Sequence, residues 1–538
     1  MTSRQTDSGP NGLAYFDAWT QIGGLIGDHP SLPAALGDLE AGMDRCGIAN
    51  ALVARRDVKA LDSLEANVAL SDQLSGGLSP VWVVMPGAAG DFPEGEALAQ
   101  LLDEYHVPAV RVCPRTHGWD AMSLSGRCLI AELSARGWPV FVELGTEMEI
   151  GELARLAEAV PGARFVAVNL EWTRQRMVSA LARDCPNVHL ALHLYHANRG
   201  IEQLVSLGAA DRLLFSTGSP VREAGAARAA LDWADIPDTT RRMIAGDNLR
   251  RILKYQPTAK RQPAAAFDSI VLACQAGKPL PCDTIDFHAH VVNDGSNSGG
   301  SQVMLRGDAK GMLEMADRTG VREIGLMTWQ GIQGVEQEAG HRTVVDAVQT
   351  NPDRLWGLAS IHVGDKTDSR KIAELDDLRR RTRILGLKPY PTMGLPYDHP
   401  KYAALWEYAQ AHGLYVGVHP YHWYEPGEFR SLCSRYPELT VVAYHAGSSY
   451  EIADTVITLC REFPNLYAEI NYSTVTGGVI EYLVKGCGAE RVLFGSDQPM
   501  RDPRHQLGWV VYADVPEAVK TMILGANARR LLSRPSAT

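Results

Sequence analysis

The sequence predicts two tandem (β/α)8 TIM barrels, each a closed ring of eight parallel strands alternating with helices. Three observations predict this α/β fold. The two halves of the 538-residue chain repeat each other. Each half alternates short β-branched runs with longer amphipathic runs, as βαβ units do. Polar residues recur where the predicted strands of the second half end, and such barrels carry their chemistry at that end.

The repeat covers a whole domain. The segment "RFVAVN" (164–169) matches "TVVAYH" (440–445), and "ADRLLFSTGSPVRE" (210–223) matches "AERVLFGSDQPMRD" (489–502). The offset between matched residues stays between 276 and 279 across the following pairs: Arg111 and Lys388, Glu143 and His419, Asn169 and His445, Gly218 and Asp497. Order, spacing and polar positions all agree, so we interpret the repeat as a duplicated domain.

Eight strands are predicted in each half. In the first half they begin near Ala14, Asn50, Pro80, Ala109, Pro139, Arg164, Val188 and Arg212. In the second half they begin near Thr284, Glu323, Leu355, Ile384, Leu414, Leu439, Leu466 and Arg491. An open doubly wound sheet is the alternative, but no strand is followed by the glycine-rich phosphate turn typical of that fold.

These strands predict two barrel domains, joined by a linker and flanked by short terminal segments. The predicted ranges are a disordered N-terminus (1–12), a first barrel (13–256), a linker with a short helix (257–281), a second barrel (282–533) and a tail (534–538).

Composition excludes several classes of protein. A net charge of −11 argues against a general binder of nucleic acid or of anionic membranes, because both need a concentrated positive field. The apolar runs are only strand-sized, which predicts no membrane span. Nine cysteines without a C-x-x-C pair, and an N-terminus without an apolar signal region, predict a reduced, cytoplasmic protein.

Candidate ligands follow the strands of the second half. His288 and His290 end the first strand, and alternate residues of a strand face the same side, so both imidazoles can hold one ion. Zinc accepts imidazole and carboxylate ligands and keeps a position for water. The other candidates end strands four, five, six and eight, and they are Lys388, His419, His445 and Asp497.

This set of motifs resembles the amidohydrolase superfamily, and most closely its amidohydrolase-related branch. The resemblance rests on "DFHAH", "GLKPYPTMG", "VGVHP", "AYHAGS", "LFGSDQP" and "GANARRLL". It implies a divalent metal, zinc or alternatively manganese, held by His288, His290, His419 and Asp497. Whether one ion or two are bound is left open by the resemblance. Lys388 would be either a carboxylated bridge between two ions or a cation that holds a substrate carboxylate.

The resemblance leaves the catalytic roles open. Asp497 could accept a proton during hydrolysis and pass it to the leaving group. His445 would be a further ligand, a group that orients substrate, or an acid–base. Other predicted substrate contacts lie near the mouth: Trp329, Tyr390, His422, Tyr424, Asn471 and Arg501.

The first half keeps the predicted scaffold without the ligands. The matched positions hold Trp19, Gln21, Glu143, Asn169 and Gly218, of which only Glu143 binds metals well. His193 and His196 lack carboxylate partners at other strand ends and are interpreted as structural. The first barrel is therefore predicted to be a degenerate copy that packs, lends a loop or binds a small effector.

The sequence alone leaves three possible functions. The first is a metal-dependent hydrolase of an amide, cyclic imide or lactone type of bond. The second is a metal-dependent non-oxidative decarboxylase or other C–C lyase, and the third is a non-catalytic binding protein. The predicted partner is a small-molecule substrate, and a homodimer is left open.

Overall fold

A computed structural model describes residues 12–58, 62–257, 259, 261, 266–292, 300–332, 337–364, 366–389, 395–419 and 426–533. The chain divides into two compact units, one ending at Phe267 and the other beginning at Asp268. Each unit contains one sheet of eight strands, paired in chain order and all parallel. The fold is therefore two tandem (β/α)8 barrels, as the sequence predicts.

The strands begin within two residues of the predicted positions in both units. The first sheet contains β1 (Tyr15–Ile22), β2 (Ile48–Arg55), β3 (Leu78–Val84), β4 (Ala109–Val112), β5 (Val140–Glu143), β6 (Phe165–Val168), β7 (Val188–Ala191) and β8 (Leu213–Leu214). The second sheet contains β9 (Thr284–Val291), β10 (Val321–Thr328), β11 (Leu355–Ala359), β12 (Ile384–Leu387), β13 (Tyr415–Val418), β14 (Val441–Ala443), β15 (Leu466–Ile470) and β16 (Val492–Phe494).

Helices follow the strands. Those of the first unit are Leu36–Cys46, Ser63–Gln73, Gly95–Glu104, Leu124–Ala135, Ile150–Ala159, Gln175–Asp184, Gly200–Ser206, Ala224–Asp232, Asp238–Arg242 and Asn248–Ile252. Those of the second unit are Ser269–Gln275, Ala309–Thr319, Trp329–Ile332, Gln337–Thr350, Asp368–Arg381, Ala403–Ala411, Gly427–Arg435, Tyr450–Glu462, Val479–Cys487, Pro503–Val511, Glu517–Thr521 and Asn527–Leu532.

Each barrel closes between its first strand and the segment after its eighth strand. In the second barrel the backbone N–H of Asp497 donates to the His288 carbonyl at 2.8 Å, and that of His290 donates to the Gln498 carbonyl at 2.6 Å. We call this contact the closing seam. Because the seam runs through these residues, closure of the barrel itself brings the end of β9 beside Asp497.

A buried aspartate holds each seam. The Asp286 carboxylate accepts from the Ser496 backbone N–H at 2.9 Å and from the Ser496 hydroxyl at 2.5 Å. In the first barrel, Asp17 accepts from the backbone N–H of Thr217 at 3.0 Å and from its hydroxyl. Burial raises the pKa of Asp286 to about 6 and that of Asp17 to about 7. Each barrel is thus closed by the same arrangement of an aspartate and a hydroxyl-bearing residue.

A glycine in a π-helical turn lets the last helix approach the first strand of each barrel. These turns are Met243–Asp247 and Met522–Ala526. A Cβ atom on Gly246 would lie 2.8 Å from the Ala14 carbonyl oxygen, and one on Gly525 would lie 1.6 Å from that of Asp283. The matched "IAGDN" and "ILGAN" segments therefore need glycine at this position for steric reasons.

The predicted linker helix is present as Ser269–Gln275, within the second unit. Asp268 caps it by accepting from the Val271 N–H at 2.8 Å, and its other oxygen accepts from the Lys520 ammonium at 2.6 Å. Across the described part of the chain, no helix has both the length and the apolar character needed to cross a membrane.

Candidate metal centre

Two histidines and one aspartate converge at the mouth of the second barrel. His288 and His290 leave β9 on the same face, with ring centroids 5.4 Å apart. Asp497 Oδ1 lies 2.8 Å from His290 Nε2 and 3.6 Å from His288 Nε2. One atom from each residue lies within 4.8 Å of the others, a spacing that one ion can bridge.

Two further histidines stand beside this group. His445, after β14, has its ring centroid 5.2 Å from that of His288, and His419, after β13, has its ring centroid 4.7 Å from that of His445. The His419 carbonyl accepts a hydrogen bond from the Tyr397 hydroxyl, which anchors the end of its strand. All four predicted metal-binding side chains and His445 therefore reach one mouth.

The histidines of the mouth are held neutral. Burial lowers the pKa of His288, His290, His419 and His445 well below the ordinary value, and the nearby Lys388 cation lowers each of them further. Neutral imidazole is the form that binds metals, so no proton has to leave before an ion enters. Burial also lowers the pKa of Lys388, whose Nζ lies 4.1 Å from the Tyr444 ring centroid.

A buried carboxylate that we did not predict from the sequence completes the group. Glu469 lies in β15 and is fully buried, and Oε2 of its side chain lies 3.4 Å from His288 Nδ1. Burial raises its pKa to about 8. The signal was available in "NLYAEINYS", because a glutamate inside a predicted barrel strand needs a buried partner.

The predicted substrate contacts divide into three groups. The Trp329 ring stands 5.4 Å from that of His290 and is partly exposed, as a substrate contact requires. The Arg501 guanidinium contacts Asp497 Oδ2, donates to Ser473 Oγ at 2.7 Å and lies over Tyr472. The others differ in placement: Asn471 is fully buried among the histidines, and Tyr390, His422 and Tyr424 lie outside the described residues.

The backbone is strained at Asp497 and at His445, which stands beside the candidate ligands. His445 has φ 64° and Asp497 has φ 58°, in the left-handed region that costs ordinary residues about 1–2 kcal/mol. The matched residues of the first barrel, Asn169 and Gly218, keep the same conformation with φ 61° and 69°. Asparagine and glycine tolerate this region best, so the first barrel retains the backbone while it lacks the ligands.

The mouth of the first barrel is filled by other contacts. Trp19, at the position of His288, belongs to the apolar core and stacks on Phe141 with ring centroids 5.8 Å apart. Arg111, at the position of Lys388, donates from Nη1 to Glu143 Oε1 at 3.0 Å. The space beside Gly218 is taken by Arg222. An ion pair and an indole thus stand where the second barrel gathers its candidate ligands.

Both barrels contain a histidine–asparagine hydrogen bond, with the positions of the two residues exchanged. In the second barrel His445 Nδ1 pairs with Asn471 Oδ1, and in the first barrel His193 Nε2 pairs with Asn169 Oδ1 at 2.9 Å. His193 matches Asn471, because each lies five residues after the first residue of the seventh strand of its barrel. This bond gives His193 a structural role in the first barrel.

The chemistry of the second mouth fits a divalent ion. Among the described residues, the buried His288 Nε2 has no hydrogen-bond partner, although its other ring nitrogen is bonded. A buried imidazole nitrogen is seldom left unpaired, and a metal ion can accept its lone pair. The neighbouring carboxylate of Asp497 supplies the negative charge that a divalent cation needs.

Fold and site together define a tandem (β/α)8-barrel protein with a histidine–carboxylate centre in its second barrel. The chain belongs to the amidohydrolase family, whose model matches residues 26–255 and again residues 285–534. The family prediction is confirmed, and both barrels carry the match. No curated protein matches the chain.

Solved structures similar to the chain each span about one barrel of it. An uncharacterized TIM-barrel protein from Bordetella bronchiseptica is 18% identical, with TM-score 0.38, covering 47% of this chain and 98% of its own. A 2,6-dihydroxybenzoate decarboxylase from Rhizobium is 16% identical (TM-score 0.37; 47% and 98% covered). A probable 2-pyrone-4,6-dicarboxylic acid hydrolase from Acinetobacter baumannii is 15% identical (TM-score 0.37; 47% and 100% covered).

Proposed function

We propose that the second barrel is a metal-dependent hydrolase acting on an amide, cyclic imide or lactone type of bond in a small organic substrate. The convergence of His288 Nε2, His290 Nε2 and Asp497 Oδ1 carries this proposal. Zinc is the ion we propose, with manganese the alternative, because both accept imidazole and carboxylate ligands. When bound, such an ion polarises a substrate oxygen and activates water.

The residues around the centre take the remaining roles. His288, His290, His419 and Asp497 hold the ion. Asp497 also accepts a proton from the attacking water and passes it to the leaving group. His445 faces the same space and orients the substrate or protonates it. Lys388 either bridges two ions as a carboxylated lysine or holds a substrate carboxylate as a cation, and Trp329 offers a flat surface to a cyclic substrate.

A decarboxylase or other C–C lyase is the second candidate, and one contact favours it. The Arg501 guanidinium contacts Asp497 Oδ2, and a neighbouring positive charge makes a carboxylate a weaker proton acceptor. In a lyase Asp497 needs only to bind the ion, and an adjacent acid protonates the carbon that loses CO₂. A substrate screen scored for CO₂ release and for ring opening separates the two reactions.

Metal content tests the division of labour between the barrels. We expect the purified chain to contain stoichiometric zinc or manganese by elemental analysis, and the variant His288→Ala/His290→Ala to lose it together with activity. The matched control is Gln21→Ala, which changes the position of His290 in the first barrel and should retain the metal. Absence of metal from the wild-type chain after supplementation, or its loss in the control, contradicts the proposal.

A further inference from the structure

Glu469 contacts two histidines of the second mouth, His288 and His445. One of its oxygens, Oε2, accepts from the backbone N–H of His445 at 3.2 Å and lies 3.4 Å from His288 Nδ1. The other, Oε1, accepts from the Asn471 side-chain amide at 2.7 Å. The carboxylate is fully buried, so these contacts account for its place in the barrel.

The Asn471 amide fixes the position of the proton on His445. Its nitrogen donates to Glu469, so its oxygen faces His445 Nδ1 and accepts from it. The reverse amide orientation would set the Asn471 oxygen beside Glu469 Oε1 and would remove the hydrogen bond that the amide nitrogen donates there. His445 therefore carries its proton on Nδ1, and its Nε2 keeps a lone pair.

The same reasoning applies to His288. Its Nδ1 lies near two groups, the Glu469 carboxylate and the Asn471 nitrogen at 3.1 Å. A proton on Nδ1 makes a hydrogen bond to Glu469 Oε2, the oxygen that already accepts from the His445 backbone N–H. A proton on Nε2 instead would be a buried donor without an acceptor among the described residues. The first arrangement satisfies both ring nitrogens once an ion sits beside Asp497.

We propose that Glu469 and Asn471 are positioning residues that set the tautomers of His288 and His445, so that Nε2 of each faces the mouth. His288 Nε2 would then be free to hold the ion, and His445 Nε2 would face the substrate. This inference rests on the proposed metal site. Carboxylates and amides that bind the far nitrogen of a metal-binding histidine fix its ring and raise its basicity.

The first barrel provides an internal comparison. Its residue at the position of Glu469 is Ala191, because Glu469 pairs with Leu493 as Ala191 pairs with the matched Leu214. The carboxylate is thus absent where Trp19 replaces the histidine that it would orient. The asparagine–histidine hydrogen bond is present in the first barrel although the carboxylate of Glu469 and the imidazole of His288 have no counterpart there. Glu469 therefore accompanies His288, as a residue with an orienting role would.

The test is the variant Glu469→Gln, which keeps the shape of the side chain and replaces one carboxylate oxygen with an amide nitrogen that can only donate. We expect the metal-free full chain to bind Zn²⁺ about 10- to 100-fold more weakly than wild type, measured by competition with a chromophoric chelator. Glu469→Asp should recover part of the affinity. Glu451→Gln, at an exposed position on a neighbouring helix, is the control and should bind as wild type does.

Nitrogen NMR of labelled imidazoles provides the second measurement. In the metal-free wild-type chain, His288 and His445 should show protonated Nδ1, and Asn471→Ala should remove this preference at His445. Unchanged Zn²⁺ affinity in Glu469→Gln, or a protonated Nε2 at His288 in wild type, overturns the inference. If the wild-type chain binds no divalent ion while the NMR signals are as expected, the proposed function fails and the tautomer assignment stands.

Discussion

Removal of the Glu143 carboxylate tests how much the buried Arg111–Glu143 ion pair stabilises the first barrel. Arg111 is 1% exposed, and its guanidinium donates to Glu143 Oε1 at 3.0 Å and to the Arg55 carbonyl. The variant Glu143→Gln leaves this buried cation without its counter-charge. We expect the free energy of unfolding of the first barrel to fall.

The magnitude follows from the burial of the pair. Opposite charges about 4 Å apart attract by about 4 kcal/mol at the effective dielectric constant of a protein. Loss of one partner from a buried ion pair costs about 3–5 kcal/mol. The Glu143 side chain is 15% exposed, so water reaches the site and the lower end applies. We therefore expect a loss of about 3 kcal/mol.

Urea unfolding of the full chain measures this loss, with the double variant Arg111→Met/Glu143→Gln as the matched control. An apolar side chain of similar length removes the stranded charge, and such replacements are often neutral. The double variant should lie within about 1 kcal/mol of wild type, and a metal chelator should not change the difference between wild type and Glu143→Gln. Equal destabilisation of the single and double variants would refute the reasoning.

Two further predictions concern features that the barrels share. Gly525→Ala would set a Cβ atom 1.6 Å from the Asp283 carbonyl oxygen, so we expect a loss of about 3 kcal/mol or more in a urea titration, whereas Gly162→Ala, with open space around it, should change little. Full stability in Gly525→Ala would show that the close approach is not required. Burial raises the pKa of Asp17 to about 7, so its contribution to stability is present below about pH 4 and is lost as pH rises through 7. The stability of wild type relative to Asp17→Asn should therefore fall between pH 4 and pH 8, by up to about 4 kcal/mol, and a constant difference would contradict this sign.

The sequence was sufficient to predict the barrel and most of the candidate ligands. Strand positions follow from β-branched runs, and a parallel arrangement sends the ends of all strands to one mouth. His288, His290, His445 and Asp497 each end a predicted strand, so the topology alone brings them together. The duplicated pattern also identified which barrel lacks the ligands, because Trp19 and Gly218 cannot bind a metal ion through their side chains.

Glu469 and the role of Asn471 could not be predicted in this way. Glu469 lies in the seventh strand and Asn471 directly after it, and what they do depends on His288 in β9 and His445 after β14. The exchange of histidine and asparagine between His445–Asn471 and Asn169–His193 is likewise visible only as a contact. A pattern along the chain records residue types, whereas a hydrogen bond depends on distances between strands.

The sequence by itself determined the fold, the duplication and the loss of ligands from the first barrel, because hydrophobic periodicity and strand-end chemistry are local properties of the chain. The tertiary structure alone decided how the closing seam sets Asp497 against His290, how Arg111 and Glu143 fill the first mouth, and how Glu469 and Asn471 orient two histidines. Those outcomes depend on contacts between residues far apart in the chain, which form only once each barrel has closed.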